Sequence, residues 1–250
     1  MAKIKIYTAG IVVIGNEVLS GRTQDANVKY LGERLNLLGI RLMEVRIIPD
    51  VETAIIGAVR DMSRNLDYVF TTGGIGPTHD DITAASIARA FGVNLVRDPE
   101  AERLVRSNYA APEEVTPARL KMADVPKGAT LLRNPISKAP GFQLKNVYVL
   151  PGIPRIMQAI FEGFCHELFG GEPIKTREIT AFLPEGILSG KFEEIQSRFP
   201  GADLGSYPFV RDGHFGTVLV LRHTNQEIVD ALAKEVRLMI RSLGSAPFED

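Results

Sequence analysis

Two hydrophobic rhythms alternate along the chain. Ile11-Val12-Val13-Ile14 is an unbroken apolar run closed by Gly15, the pattern of a strand buried on both faces. Val28, Leu31, Leu35 and Leu38 then recur at helical spacing, with Asp25 placed to cap the start and Gly39 to close the end. Residues 41–48 return to strand character and stop at Pro49. Val51, Ile55, Ala58, Val59 and Met62 mark a second helix. Residues 67–71 form a third strand, followed by a glycine-rich loop and a helix through Ile82, Ala85 and Phe91. Strands alternating with helices predict βαβ units, hence an α/β fold on a mostly parallel sheet with right-handed crossovers.

Residues 98–109 read as another helix, after which Pro112, Pro117 and Pro126 break up a surface stretch. Val147-Tyr148-Val149-Leu150 is a strand that leads through Pro151-Gly152 into a helix over about 154–169, with Pro154 suited to its first turn. Gly170-Gly171 marks a boundary between a principal domain, 1–170, and a small one, 171–250. The second part reads strand (176–182), helix (187–199), two strands (near 204–207 and 217–222) and a closing helix carrying Val229, Leu232, Val236 and Met239. That βαββα order predicts a small α+β domain.

Composition narrows the function classes. The net charge is −1, with Lys and Arg spread along the chain, so nothing points to nucleic acid or an anionic membrane as partner. No apolar stretch reaches membrane-spanning length, and the start of the chain lacks a signal-peptide h-region. The one cysteine, Cys165, rules out an intramolecular disulfide and suits a reducing cytosol. Its helical context predicts buried packing rather than reactivity. A cytoplasmic location is expected.

In open α/β sheets ligands bind outside the carboxyl ends of the strands. Four unusual segments follow strands here: Gly15-Asn16-Glu17-Val18-Leu19-Ser20-Gly21, Pro49-Asp50, the loop from Thr71 to Thr83, and Pro151-Gly152-Ile153-Pro154. The loop, Thr71-Thr72-Gly73-Gly74-Ile75-Gly76-Pro77-Thr78-His79-Asp80-Asp81-Ile82-Thr83, carries most of the chemistry. Gly73, Gly74 and Gly76 let backbone N–H groups approach an anion, and the helix that follows favours negative charge at its start. Asp80 and Asp81 would repel a phosphate unless a divalent cation or its water sits between them. The alternative is that Thr78 caps the helix and Asp81 completes a capping-box-like contact. Glu17 and Asp50 add carboxylates to a cluster suited to Mg²⁺ or another hard cation, or are solvated loop charges. Asn134-Pro135-Ile136-Ser137-Lys138-Ala139-Pro140-Gly141 offers hydroxyl, amide and ammonium groups to phosphate oxygens, or is a turn-rich surface loop. His79 is a ligand, a base or a polar loop residue. The loop lacks the Lys-Ser/Thr ending of a Walker A sequence and the third glycine of a dinucleotide fingerprint.

Residues 72–83 resemble the signature of the MoaB/Mog molybdopterin-binding domain family. The resemblance is to the branch found at the N-terminus of CinA and in the pterin-binding-like domain of eukaryotic FAD synthase. Residues 15–21 with Asp25 and Asn27, Lys138-Ala139-Pro140-Gly141-Phe142, residues 150–154 and Ser206-Tyr207-Pro208-Phe209 support it. The resemblance implies a three-layer α/β/α fold, a homo-oligomer such as a dimer, and a nucleotide or pterin ligand such as molybdopterin. Three functions follow from it: hydrolysis of a nucleotide pyrophosphate such as ADP-ribose or FAD with Mg, Mn or Co, molybdopterin adenylylation with ATP, or binding without turnover. For hydrolysis it implies that carboxylates hold the metal and that water attacks phosphorus. Asp50, Asp81 and Asp80 carry over as catalytic groups, and Asp81, Asp50 and Glu17 as metal-associated ones. Thr72, Gly73, Gly74, Gly76, Thr83, Ser137, Lys138, Pro151 and Gly152 carry over as ligand-binding positions. His79-Asp80 stands where the adenylyltransferases have a basic residue and an arginine, a departure that favours hydrolysis over transfer. CinA also has a C-terminal deamidase domain with no counterpart in this sequence, so deamidation is not expected.

Overall fold

The computed structural model describes residues 5–211 and 213–249; residues 1–4 of the N-terminal segment considered above lie outside that range. The chain packs as two units, Met1–Gly171 and Glu172–Asp250. Among the described residues no helix is long and apolar enough to cross a membrane.

In the first unit, β1 (Tyr7–Ile14), β2 (Ile40–Ile48), β3 (Tyr68–Thr72) and β8 (Val147–Leu150) pair in parallel in the order β2-β1-β3-β8. The sheet then continues antiparallel through β7 (Gly141–Leu144) and β6 (Thr130–Leu132). Alternate strand residues feed two cores, because successive side chains point to opposite faces. Ile11, Val13, Phe70 and Leu150 pack with Leu31 and Leu35 of α2 (Asn27–Leu37) and with Met157 and Phe161 of α7 (Pro154–Phe164). Val12, Ile14, Val69 and Val149 pack with Ile55 and Val59 of α3 (Glu52–Asn65) and with Ile87 of α4 (Thr83–Phe91). Helices on both faces make the three-layer α/β/α architecture. The strands read as solid apolar runs because neither face meets water.

Local signals set the helix ends. Asp25 Oδ1 accepts the Val28 N–H at 2.8 Å, capping α2, and Gly39 leaves the helix at φ 69°. Asp98 accepts two N–H groups at the start of α5 (Pro99–Arg106), both at 2.9 Å.

Three local readings are corrected. The proline-broken stretch is not all surface: Ala123 is buried beneath Ala101 and Val105 of α5. Next to it, β5 (Asp124–Pro126) pairs with β4 (Leu95–Arg97) as a two-stranded ribbon. The β6–β7 hairpin was also unread, since strands of three or four residues show too little alternation to register. The helix expected to run to 169 ends at Phe164, and Cys165–Glu167 tightens into a 3₁₀ turn. Leu168 is nevertheless buried in the same core, so the apolar spacing outlasted the helix. Cys165 is buried and unpaired, and burial pushes its thiol up from the ordinary value.

The second unit has the element order β9 (Lys175–Ala181), α8 (Glu185–Arg198), β10 (Asp203–Arg211), β11 (His214–His223), α9 (Gln226–Ser242) and β12 (Pro247–Phe248). Its antiparallel sheet, β10-β11-β9-β12, packs Ile179, Leu219 and Leu221 against Leu188 and Phe192 of α8 and Leu232 and Val236 of α9. The short β12 adds a final strand to the order read from the sequence. Ser206 and Tyr207, part of the family resemblance, lie on β10. The Ser206 hydroxyl donates to Glu185, and the Tyr207 ring covers Gly205.

Candidate functional site

The four parallel strands end at one edge, and the segments leaving them enclose a cavity of about 510 Å³. That volume lies within the range of small-ligand pockets. Glu17, Asp50, the Gly73–Gly76 turn, Asp80, Asp81, Asn134, Ser137, Pro151 and Gly152 line it.

The glycine turn is dictated by the protein around it. Gly73 has φ 101° and Gly74 φ 68°. A Cβ on Gly73 would stand 2.1 Å from the Ile14 carbonyl oxygen, and one on Gly74 would stand 2.1 Å from the Thr83 hydroxyl. The chain needs glycine here to pass beneath its own neighbours, a tighter constraint than approach by a ligand. The Gly73 N–H is also committed, donating to the Leu150 carbonyl at 3.0 Å. What remains for a ligand is the run Gly74, Ile75 and Gly76, whose N–H groups meet no acceptor among the described residues. Successive free N–H groups in a turn are the kind of donor set that can bind an anion.

Thr83 does not face the cavity. It is fully buried; its hydroxyl donates to the Gly73 carbonyl at 3.1 Å and its N–H to the Gly74 carbonyl at 3.0 Å. Its role is to brace the turn, which corrects its reading as a ligand contact. Thr72 is likewise buried, and its hydroxyl has no partner among the described residues. Gly152 packs close to Gly73, and its carbonyl accepts the Asn27 amide at 2.8 Å. Pro151 lines the cavity beside it.

Asp81 Oδ2 accepts the Thr78 N–H at 2.7 Å and the Thr78 hydroxyl at 2.5 Å. The capping-box-like contact therefore exists, but in the loop: α4 starts at Thr83 and takes no side-chain cap. Gly76 makes room for that carboxylate, since a Cβ there would stand 2.8 Å from Asp81 Oδ2. The Thr78 hydroxyl, the N–H of Asp80 itself, the charge on His79 and that on Lys121 hold the exposed Asp80 carboxyl below its ordinary range. Asp50, half-buried, accepts the Asn16 N–H at 2.9 Å. Glu17 folds over Gly15, its carboxylate 2.5 Å from where a Cβ would be.

The expected metal cluster is corrected in one respect. Although Glu17, Asp50, Asp80 and Asp81 line one cavity, no three acidic, histidine or cysteine side chains among the described residues converge to hold a metal ion. A cation placed there would have to complete its shell with substrate phosphate and water, the usual habit of Mg²⁺.

Asn134 organises the loop that carries Ser137. It is buried, donates to the Ser137 hydroxyl at 2.7 Å and the Ala139 carbonyl at 2.8 Å, and accepts the N–H groups of Ile136 and Ser137. Its amide is committed to shaping the loop, which leaves Ser137 on the cavity. Lys138 is not there. Its backbone is left-handed, φ 63°, and its side chain lines a separate pocket with Leu104 and Arg133. The sequence reading also missed Lys121. Its ammonium donates to the Thr78 carbonyl at 2.6 Å, supplying a cation beside the aspartates. It was hidden in the proline-broken stretch, where only tertiary packing brings it to the loop.

A mostly parallel sheet with glycine-loop N–H groups and acidic side chains at its carboxyl edge defines an α/β domain with a candidate site at that edge. The family model described as probable molybdopterin binding domain matches residues 10–170, and that of the FAD synthase middle domain matches residues 173–246. A protein of Pyrobaculum calidifontis is 38% identical over 211 residues, covering 80% of each chain. A probable FAD synthase of Caenorhabditis elegans is 31% identical over 261 residues, covering 93% of this chain and 50% of that protein. The structure of CinA from Thermoplasma acidophilum, a protein of unknown function, aligns with a TM-score of 0.61 and 32% identity, covering 65% of this chain and 98% of that one. The chain thus belongs to the probable molybdopterin-binding domain family, and its second unit is similar to the FAD synthase middle domain.

Proposed function

We propose that the chain hydrolyses a nucleotide pyrophosphate such as ADP-ribose or FAD with the help of a divalent cation, Mg²⁺, Mn²⁺ or Co²⁺. The observation that carries this reading is the pairing of three free N–H groups, Gly74 to Gly76, with Asp80 and Asp81 around one cavity. These N–H groups bind phosphate oxygens and take up the charge that grows on them as the anhydride breaks. Asp81, Asp50 and Glu17 are the carboxylates that would contact a cation, singly or through water. Substrate phosphate and water would complete its shell, and the cation would neutralise phosphate charge. Thr78 fixes the Asp81 carboxylate by two hydrogen bonds, and the Asn16 N–H orients Asp50. Asp80, exposed at the same cavity, orients the attacking water, whose proton passes to solvent. The bond from that water to phosphorus forms as the bridging P–O bond breaks, and the second phosphate leaves as a nucleoside monophosphate. Lys121, beside Thr78, offsets part of the aspartates' repulsion toward an anionic substrate.

The test offers ADP-ribose, FAD, and ATP with a pterin to the protein, each with Mg²⁺, Mn²⁺ or Co²⁺. AMP release from ADP-ribose or FAD is expected. Pyrophosphate from ATP and pterin alone would replace hydrolysis by adenylyl transfer, and no product in any mixture would leave a binding module.

A further inference from the structure

Beside the cavity lies a second pocket of about 290 Å³, lined by Leu104, Arg133, Asn134, Pro135 and Lys138. Asn134 lines both, so the two pockets share one buried residue. Arg133 makes no ion pair or hydrogen bond among the described residues, and the Lys138 ammonium reaches only the Pro135 carbonyl of its own loop, at 3.3 Å. The nearby acid, Glu100, is already held by Arg103 through two bonds of 2.7 and 2.6 Å. Arg133 meets Glu100 only across space, so Arg133 and Lys138 place two positive charges without a bonded acid at the rim of a concavity. Arg46 and Arg97, by contrast, are neutralised, Arg46 by Glu44 and Asp61 and Arg97 by Asp124. Lys138 is held in place at some cost: with Lys145 it is one of two non-glycine residues of positive φ among those described, a conformation that a lysine adopts only under constraint.

We propose that Arg133 and Lys138 form a second anion subsite, fit for a phosphomonoester, in a pocket that shares Asn134 with the cavity of the Gly74–Gly76 N–H groups. Arg133 presents a planar fork suited to two phosphate oxygens and Lys138 a point charge. Because Asn134 lines both pockets, a ligand whose pyrophosphate occupies the first would carry a further phosphate toward the second. Resting on the nucleotide reading above, the preferred substrate is then a nucleotide pyrophosphate carrying an additional phosphomonoester. Free inorganic phosphate has the same chemistry and is the other source of the anion.

The experiment uses the full chain and amide NMR shifts. Inorganic phosphate is titrated against the wild type, Arg133→Ala, Lys138→Ala and the double variant. Saturable shifts at residues 133–138 are expected in the wild type and lost in the double variant, while those at 74–76 persist. An absence of saturable shifts at 133–138, or their survival in the double variant, overturns the subsite. A second arm compares binding of ADP-ribose with that of its 2′-phosphorylated form. The phosphorylated form should bind about tenfold more tightly to the wild type, as one charged hydrogen bond would give, and equally to the double variant. Equal binding by the wild type would keep the subsite for free phosphate and overturn its assignment to substrate. Both arms read binding, so a lack of hydrolysis would count against the catalytic proposal alone.

Discussion

The two edges of one parallel sheet treat their aspartates in opposite ways. At the amino edge Asp67, just ahead of β3, accepts the Thr8 N–H at 2.9 Å, the Thr8 hydroxyl at 3.0 Å and the Lys5 ammonium at 3.1 Å. Burial alone would raise its pKa, but the Thr8 and Lys5 bonds prevail and hold the carboxyl below its ordinary value of 3.8. That charge ties β3 to β1. At the carboxyl edge Asp50, Asp80 and Asp81 surround a cavity, and their protein bonds come from loop donors that orient them. The residue type is the same in both places. Strand direction decides which aspartates are consumed by the fold and which face a ligand, because only at the carboxyl edge do crossover loops open a crevice.

The largest way to break this contrast is Gly73→Ala. With a Cβ 2.1 Å from the Ile14 oxygen and a φ of 101°, the variant should lose about 3 kcal/mol or more, seen as an earlier urea midpoint. A wild-type midpoint would mean that the turn is not fixed by its neighbours.

Next comes Asp67→Asn, expected to cost about 2 kcal/mol at neutral pH. Because the folded pKa is depressed, the contribution is complete above the unfolded value and fades as pH falls through the folded one. The gap between wild type and variant in urea unfolding should therefore close well below pH 3.8, and a gap independent of pH would contradict the charged role. Asp50→Asn should reverse the pattern, shifting the unfolding midpoint by less than about 1 kcal/mol while lowering turnover about a hundredfold. Equal losses of stability in Asp50→Asn and Asp67→Asn would erase the distinction between the edges. The smallest effect is expected for Lys121→Met, a few-fold rise in KM with salt dependence reduced, since one exposed charge contributes under about 1 kcal/mol.

The sheet's core strands and the helices that cover them were legible because both-face burial writes apolar runs and helical spacing directly into the sequence. The carboxyl-edge position of Glu17, Asp50 and the glycine loop followed from strand order alone. What was not legible depended on contacts far along the chain. Thr83 points inward to the Gly73 carbonyl, Lys138 is turned aside by a left-handed backbone, and Lys121 arrives from 43 positions away to meet Thr78. Gly73 and Gly74 were read as approach points for a ligand, whereas their first neighbours are the protein's own Ile14 and Thr83.

Asp81 is where the two accounts of the loop, structural cap or catalytic carboxylate, divide most sharply. The direct test measures AMP release from ADP-ribose or FAD with Mg²⁺, Mn²⁺ or Co²⁺ by wild type and Asp81→Asn, with nucleotide binding followed separately. The account predicts release by the wild type and a loss of about a hundredfold in the variant, with folding retained. Full hydrolysis by Asp81→Asn, or none by the folded wild type, would contradict it.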